Sequence, residues 1–272
     1  MPITDEDFQY IRQLIRTRTS VALAEDKAYL VESRLASVAR KVGLSSVSHL
    51  VRKLRVQPFN GLHLQVIESM MTTESWFFRD IYPFEAVQNY IVPELITKRQ
   101  GQRSLNIWCA ACSSGQEPYS IAMLLREHFP QLTSWTISLI ASDISNKMLD
   151  KARQGNYNQH EISRGLTPQL REKYFQLGDK HWQIATAIRQ MVEFRQFNLI
   201  DSWQQMPLID IIFLRNVLIY FDVEMKQAIL AKVQKILKPD GYLFLGGGET
   251  TINLDCAFKP VKFNKAICYQ LR

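Results

Sequence analysis

The chain has 272 residues, enough for one large domain or two modest ones, and 46% of them are hydrophobic, so a sizeable core can be buried. No apolar run reaches the roughly 18 residues of a membrane span, and Met1 to Tyr10 is acidic and polar, unlike a signal peptide, so a soluble cytoplasmic protein is expected. The formal charge of +7, from 33 basic and 26 acidic residues, favours acidic partners: nucleic acid, anionic lipid or an acidic protein surface.

The first 70 or so residues read as helices. Thr4, with Asp7 three positions on, forms a capping-box-like start, and Phe8, Ile11 and Ile15 then share one helical face. Ala28, Val31, Leu35, Val38 and Val42 repeat at helical spacing, with Gly43 as the stop. Ser45 or Ser46 opens a shorter helix that ends before Pro58, and Leu62 to Met71 reads as another. Between Ser33 and Ile67 there is no acidic residue, while Arg34, Arg40, Lys41, Arg52, Lys53 and Arg55 all lie there. Such a run is either an ordinary wet helix surface or a docking face for an acidic partner.

Near residue 100 the pattern changes to short apolar runs alternating with helical stretches. Leu105–Cys109, Ile137–Ala141, Val192–Phe197, Ile209–Leu214 and Tyr242–Leu245 are the runs, with helices expected at Glu117–Phe129, from Ile144 to about Arg153, and at Val223–Leu237. Pro239-Asp240-Gly241 reads as a turn. Phe258–Phe263 and Ala266–Leu271 read as two strands around a turn at Asn264. The alternation predicts an α/β fold with a mostly parallel sheet and an antiparallel edge. Gly155–Met191 interrupts it, and reads as a helix plus a small β insertion in which Trp182–Ile188 looks strand-like.

Ligands in open α/β sheets sit beyond the carboxyl ends of the strands. Here Ser113, Ser114 and Gly115 follow the first run, Asp143 the second, Asn198 the third, and Arg215 with Asn216 the fourth. That set suits a nucleoside. Small residues let the backbone approach a ligand. Asp143 can accept ribose hydroxyls, though it also suits a helix N-cap. Asn198 can read adenine edges, and Glu117 can pair with an ammonium group. The loop is neither a P-loop nor GxGxxG, since Gly115 is its only glycine and no Gly-Lys-Ser/Thr follows. Cys109 and Cys112 have CxxC spacing, but no second close pair or suitably spaced histidines accompany them, so no metal is expected and reduced packing thiols are the simpler reading.

Several segments together resemble the chemotaxis-receptor methyltransferases, the CheR family. They are Met71-Thr72-Thr73-Glu74-Ser75-Trp76-Phe77-Phe78-Arg79-Asp80, the stretch from Trp108 to Ser120, Ala141-Ser142-Asp143-Ile144, Lys151 to Tyr157, Phe197-Asn198-Leu199, Phe213 to Phe221, and Leu237-Lys238-Pro239-Asp240-Gly241. The resemblance implies a Rossmann-like class I methyltransferase sheet with an N-terminal all-helical receptor-docking domain (residues 1–75). The domain that binds S-adenosylmethionine comes next (residues 76–272), with the β subdomain inserted at about 160–192. It implies methyl transfer from S-adenosylmethionine to receptor glutamates, giving methyl esters and S-adenosylhomocysteine. By position the cofactor set is Thr73, Ser75, Arg79, Glu117, Asp143, Asn198, Leu199, Arg215 and Asn216.

Arg79 is expected to orient a carboxylate of the acceptor or cofactor, because a guanidinium grips either bidentately. Tyr220 lines the acceptor site or simply packs. The family usually has Asn at the position of Thr73 and Thr at that of Ser75. The β subdomain looks short, with Gly178 alone at its tip, so no tight tether to a receptor's C-terminal peptide is expected. A monomer that associates with membrane receptor arrays without inserting in the membrane is the expectation. The competing readings are a nucleic-acid methyltransferase and a non-catalytic cofactor-binding scaffold. The first usually carries an (Asn/Asp)-Pro-Pro-aromatic motif where Arg215-Asn216-Val217-Leu218 stands here.

Overall fold

Thr4 opens the first helix of the chain: its hydroxyl accepts the N–H of Asp7 at 3.2 Å, and Asp5, Glu6 and Asp7 set negative charge against the helix's positive end. The computed structural model describes residues 3–272, which form two units. One holds residues 3–72 together with Tyr220–Met225, and the other Thr73–Ile219 and Lys226–Arg272.

The first unit is built from α1 (Asp5–Thr19), α2 (Ala28–Lys41), α3 (Val47–Arg55) and α4 (Gly61–Met70). Ser46 caps α3 by accepting the His49 N–H, and Asn60 and His63 form a capping box on α4. The helical spacing seen in the sequence becomes one core of Phe8, Ile11, Ile15, Val31, Leu35, Leu50, Leu54 and Val66. Tyr220–Met225 joins this unit through a bridge between Val21 and Phe221, a segment that the sequence division leaves with the sheet.

The second unit has ten strands: β1 (Ser104–Ala110), β2 (Thr136–Asp143), β3 (Asn156–Tyr157), β4 (Phe175–Leu177), β5 (Trp182–Ile184), β6 (Val192–Gln196), β7 (Ile209–Leu214), β8 (Leu237–Leu245), β9 (Phe258–Phe263) and β10 (Ala266–Leu271). Seven of them form one sheet in the order β6-β2-β1-β7-β8-β10-β9. The first four pairings are parallel and the last two antiparallel, as the alternation of runs predicts. Every residue of β7 is buried, and so are both alternating sets of β1 from Ile107 to Ala110, which requires cover on both faces of the sheet.

The helices of this unit are α5 (Tyr82–Ala86), α6 (Val92–Lys98), α7 (Gln116–His128), α8 (Asn146–Gln154), α9 (Gln159–Ile162), α10 (Pro168–Tyr174) and α11 (Thr186–Arg189), with α12 (Val223–Ile236) beginning in the first unit. No expectation covers α5 and α6. They are joined by a π turn, Val87–Ile91, which precedes Pro93; a proline has no N–H to continue the ladder.

Three further details differ from the sequence reading. Pro239-Asp240-Gly241 lies inside β8 rather than in a turn between elements: Ile209 pairs with Leu237 and Ile211 with Tyr242, so Lys238 to Gly241 bulge out of the ladder. Trp182–Ile188 is extended only to Ile184, and Thr186–Arg189 is helical. The small second sheet, ordered β3-β5-β4, starts at Asn156, before the insertion limit read from the sequence, because a two-residue strand is too short to show periodicity.

Candidate functional site

Strand order places β7 beside β1, while the chain runs from β1 to β2 on the other side. This reversal is where open α/β sheets leave a crevice. The loop that leaves β1 here is sharply curved: Ala111, Ser113 and Gly115 all have left-handed backbone, with φ of 54°, 50° and 89°. Such a run in non-glycine residues is held only by its surroundings. Cys112 donates its N–H to Ser142 O, the Ser113 hydroxyl donates to Thr73 O at 2.8 Å, and the Tyr157 hydroxyl donates to Ser114 O at 2.8 Å.

Glu117 sits in the first turn of α7, directly after this loop. Its carboxylate accepts from Arg215, at the end of β7, at 2.7 Å. Arg215 also donates to the Asp80 carboxylate at 2.7 Å and to Arg79 O at 3.0 Å. The Arg215 side chain is 1% exposed and that of Glu117 12% exposed. Burial raises the Glu117 carboxyl above the ordinary glutamate value, against the opposing pull of Arg215.

Asp143 ends β2. One of its carboxylate oxygens accepts the Ser113 N–H at 2.8 Å and the other the Ser145 N–H at 2.9 Å, which aims the carboxylate at the loop after β1. The hydroxyl that caps α8 belongs to Ser145. Asn198 follows β6, and its Oδ1 accepts the Ile200 N–H at 3.4 Å. Leu199 is buried, and its carbonyl accepts from Trp203 Nε1 and Lys232 Nζ.

Thr73 and Ser75 lie on the irregular segment before α5, where Phe78, Asp80 and Ile81 are left-handed. The segment is fixed by Phe78, whose N–H donates to the Ser120 hydroxyl at 2.9 Å, and by Thr73 through Ser113. The Arg79 guanidinium lies 4.3 Å from the Trp76 ring centroid, as does that of Arg164. Nε of Arg79 and Nε of Arg215 are both buried with no partner among the described residues. Asn216, next in the chain after Arg215, is left-handed at φ 57°, and its N–H donates to the Glu249 carboxylate at 2.8 Å.

Thus hydrogen bonds join Arg79, Glu117 and Arg215 in one group, and Thr73 and Asp143 in another through Ser113, while Asn198, Leu199 and Asn216 stand at the neighbouring strand ends. Tyr220 falls in the other unit, where its carbonyl accepts the Ala22 N–H at 3.2 Å. Two residues that bond to these site residues escape the sequence reading. Asp80 closes the segment Met71–Asp80, but residue type alone gives it no role. Glu249 comes after β8, within reach of the strand-end rule had that rule been carried to a fifth strand.

The thiols of Cys109 and Cys112 are buried and pushed well up by desolvation, so they stay protonated. No group of metal-ligating side chains occurs among the described residues. None of the described helices is long and apolar enough to cross a membrane.

In the first unit, Arg40, Lys41 and Arg52 are exposed and Lys53 is half-buried. Arg34 instead donates to the carbonyls of Met70 and Met71 at the end of α4. Arg55 pairs with Glu6 at 2.6 Å and approaches Asp7 at 3.7 Å. Arg55, within the stretch without acidic residues, therefore has counterions supplied by α1 from outside it.

Comparison with known proteins gives the family of both units. Residues 73–267 match the CheR methyltransferase SAM binding domain, and residues 6–70 the CheR methyltransferase all-alpha domain. A chemotaxis protein methyltransferase of Pseudomonas putida is 41% identical over 98% of this chain and 98% of its own. One of Pseudomonas aeruginosa is 40% identical over 100% of both chains, and one of Vibrio parahaemolyticus 38% identical over 99% of this chain and 98% of its own. The chain belongs to the CheR methyltransferase family, and is an S-adenosylmethionine-dependent methyltransferase of chemotaxis.

Proposed function

We propose that the protein methylates glutamate side chains of the cytoplasmic helical region of methyl-accepting chemotaxis receptors, and that the cluster of Arg215, Glu117, Asp80 and Arg79 is the centre of its site. The observation that carries this reading is the buried Arg215–Glu117 pair at the strand-order reversal, beside the buried Nε atoms of Arg79 and Arg215, which have no partner among the described residues. Buried polar atoms are rarely left orphaned without a ligand or ordered water to meet them.

The residues present fit S-adenosylmethionine. Glu117 supplies a carboxylate for its ammonium group, Arg79 a guanidinium for a carboxylate, and Asp143 a carboxylate for the ribose. Thr73, Ser75, Asn198, Leu199, Arg215 and Asn216 complete the set. When bound, S-adenosylmethionine supplies a sulfonium-activated methyl group. A glutamate carboxylate, with an ordinary pKa of about 4.3, is already an ionised nucleophile at neutral pH. No general base is then needed from the protein. Its residues align the carboxylate with the methyl group and exclude water. Arg79 orients the acceptor.

Arg40, Lys41, Arg52 and Lys53 form the docking face for the acidic receptor helices, and Arg34 and Arg55 hold that face in shape. The receptor brings the protein to membrane arrays from the cytoplasm, the protein acting as a monomer without a C-terminal peptide tether. Incubation with labelled S-adenosylmethionine and host membranes tests the reading. Base-labile label on receptor protein is expected. Alkali-stable label, or label on nucleic acid, overturns it.

A further inference from the structure

We propose that Glu249 is a positioning residue for methyl transfer, a proposal that rests on the site reading above. Its carboxylate gathers three backbone N–H groups from two separate strand ends. Oε2 accepts Asn216 N–H at 2.8 Å and Gly246 N–H at 2.6 Å, and Oε1 accepts Ile219 N–H at 3.1 Å. Glu249 closes its own turn by donating N–H to Gly246 O at 2.9 Å. The residues so joined come after β7 and β8, which are parallel neighbours paired as far as Leu214 and Leu245.

The clamp acts at a left-handed turn of the chain. Asn216 is left-handed at φ 57° and is bonded in sequence to Arg215, whose guanidinium holds Glu117 and Asp80. Asparagine enters the left-handed region more readily than most residues, and contacts around it then hold the turn. Here a carboxylate supplies that hold through charge-assisted bonds, which are about twice as strong as neutral ones. The junction is also tight. A Cβ on Gly246 would lie 2.4 Å from Asn216 Nδ2, 2.8 Å from Asn216 N and 2.8 Å from Glu249 Oε2. The carboxylate thus fixes the backbone between Asn216 and Ile219 through its N–H groups.

The test is Glu249→Gln in the full chain. Glutamine matches glutamate in shape but turns an amide NH2 toward at least one of the three N–H donors. Amide exchange at Asn216, Ile219 and Gly246 is expected to quicken about tenfold or more, as loss of a charge-assisted bond implies. The kcat at saturating cofactor and receptor should fall by a similar factor, about tenfold, and by more than the affinity for S-adenosylhomocysteine. Unchanged exchange overturns the proposal, as does faster exchange with kcat within about twofold of wild type. Equal losses of kcat and affinity, with protection lost across the whole sheet, mark a general structural role and also overturn it. Gly246→Ala disturbs the same junction with the carboxylate intact, and carries the test if Glu249→Gln does not fold. A wild-type protein that binds no S-adenosylhomocysteine overturns the site reading itself, an outcome distinct from all of these.

Discussion

Arg215 and Glu117 are 98 residues apart in sequence and 2.7 Å apart in space, facing each other across the gap between the ends of β7 and β1. Neither is well placed alone. Glu117 needs a cation because its carboxylate is taken out of water, and Arg215 needs anions because its side chain is 1% exposed. Arg215→Met is therefore expected to cost about 3–5 kcal/mol, since it leaves an uncompensated buried carboxylate. Arg215→Met with Glu117→Gln should cost less than the two single changes added together. Urea denaturation of the four proteins checks this; strict additivity contradicts the coupling.

Glu117 also predicts a pH dependence. Its carboxyl is raised by burial, with Arg215 and Arg79 opposing and Asp80 adding to the rise. The folded state thus holds the proton to higher pH than the unfolded chain does. Stability accordingly falls as pH rises from the ordinary glutamate value through the raised one. Binding of a ligand ammonium has the opposite sign, because it needs the ionised carboxylate. Affinity for S-adenosylhomocysteine should therefore weaken as pH drops through the raised value. Calorimetric titrations across this range should show the loss in the wild type and a flat, weaker profile in Glu117→Gln.

The segment from Trp76 to Arg79 is expected to be sensitive both directly and from a distance. Arg79→Ala should fold normally and lose about 10- to 100-fold in turnover, the effect of one charged hydrogen bond to the reacting groups. Near-normal turnover contradicts the role given to Arg79. Gly165 lies far along the chain, yet a Cβ there would lie 1.7 Å from Phe77 O, and its φ is +81°. Gly165→Ala should lower stability by about 1–3 kcal/mol and lower turnover as well, because the Phe77 backbone must move. Melting temperature and turnover measured together on this variant check it.

Asp210 offers a control at the other end of β7. It is fully buried and accepts from Arg99 at 2.9 Å, Lys238 at 2.9 Å and the Asn106 N–H at 2.8 Å. Asp210→Asn weakens the bonds from Arg99 and Lys238 while Asp240 still holds Arg99, and should cost about 1–3 kcal/mol in urea denaturation. It lies at the amino end of the strand, away from Arg215. Affinity for S-adenosylhomocysteine should stay as in the wild type wherever the variant is folded.

Much of this architecture is legible in the sequence, and for a local reason. A helix turn or strand pleat repeats within a few residues, so Phe8, Ile11 and Ile15, or the apolar run Ile209–Leu214, announce their elements without help from the rest of the chain. The polar residues at Ser113, Asp143, Asn198 and Arg215 show where strands end. Which partners those residues meet is decided by the tertiary structure. That Arg215 meets Glu117 and Asp80, 98 and 135 residues away, depends on β7 pairing with β1. That Arg55 has Glu6 for a counterion, and that Arg34 closes α4, depends on helix packing. Glu249 is the plainest case: its role lies in backbone N–H groups, which every residue but proline carries and which no residue type reveals. Periodicity and strand-end chemistry are properties of short segments, whereas ion pairs and backbone clamps are properties of which segments come to lie side by side.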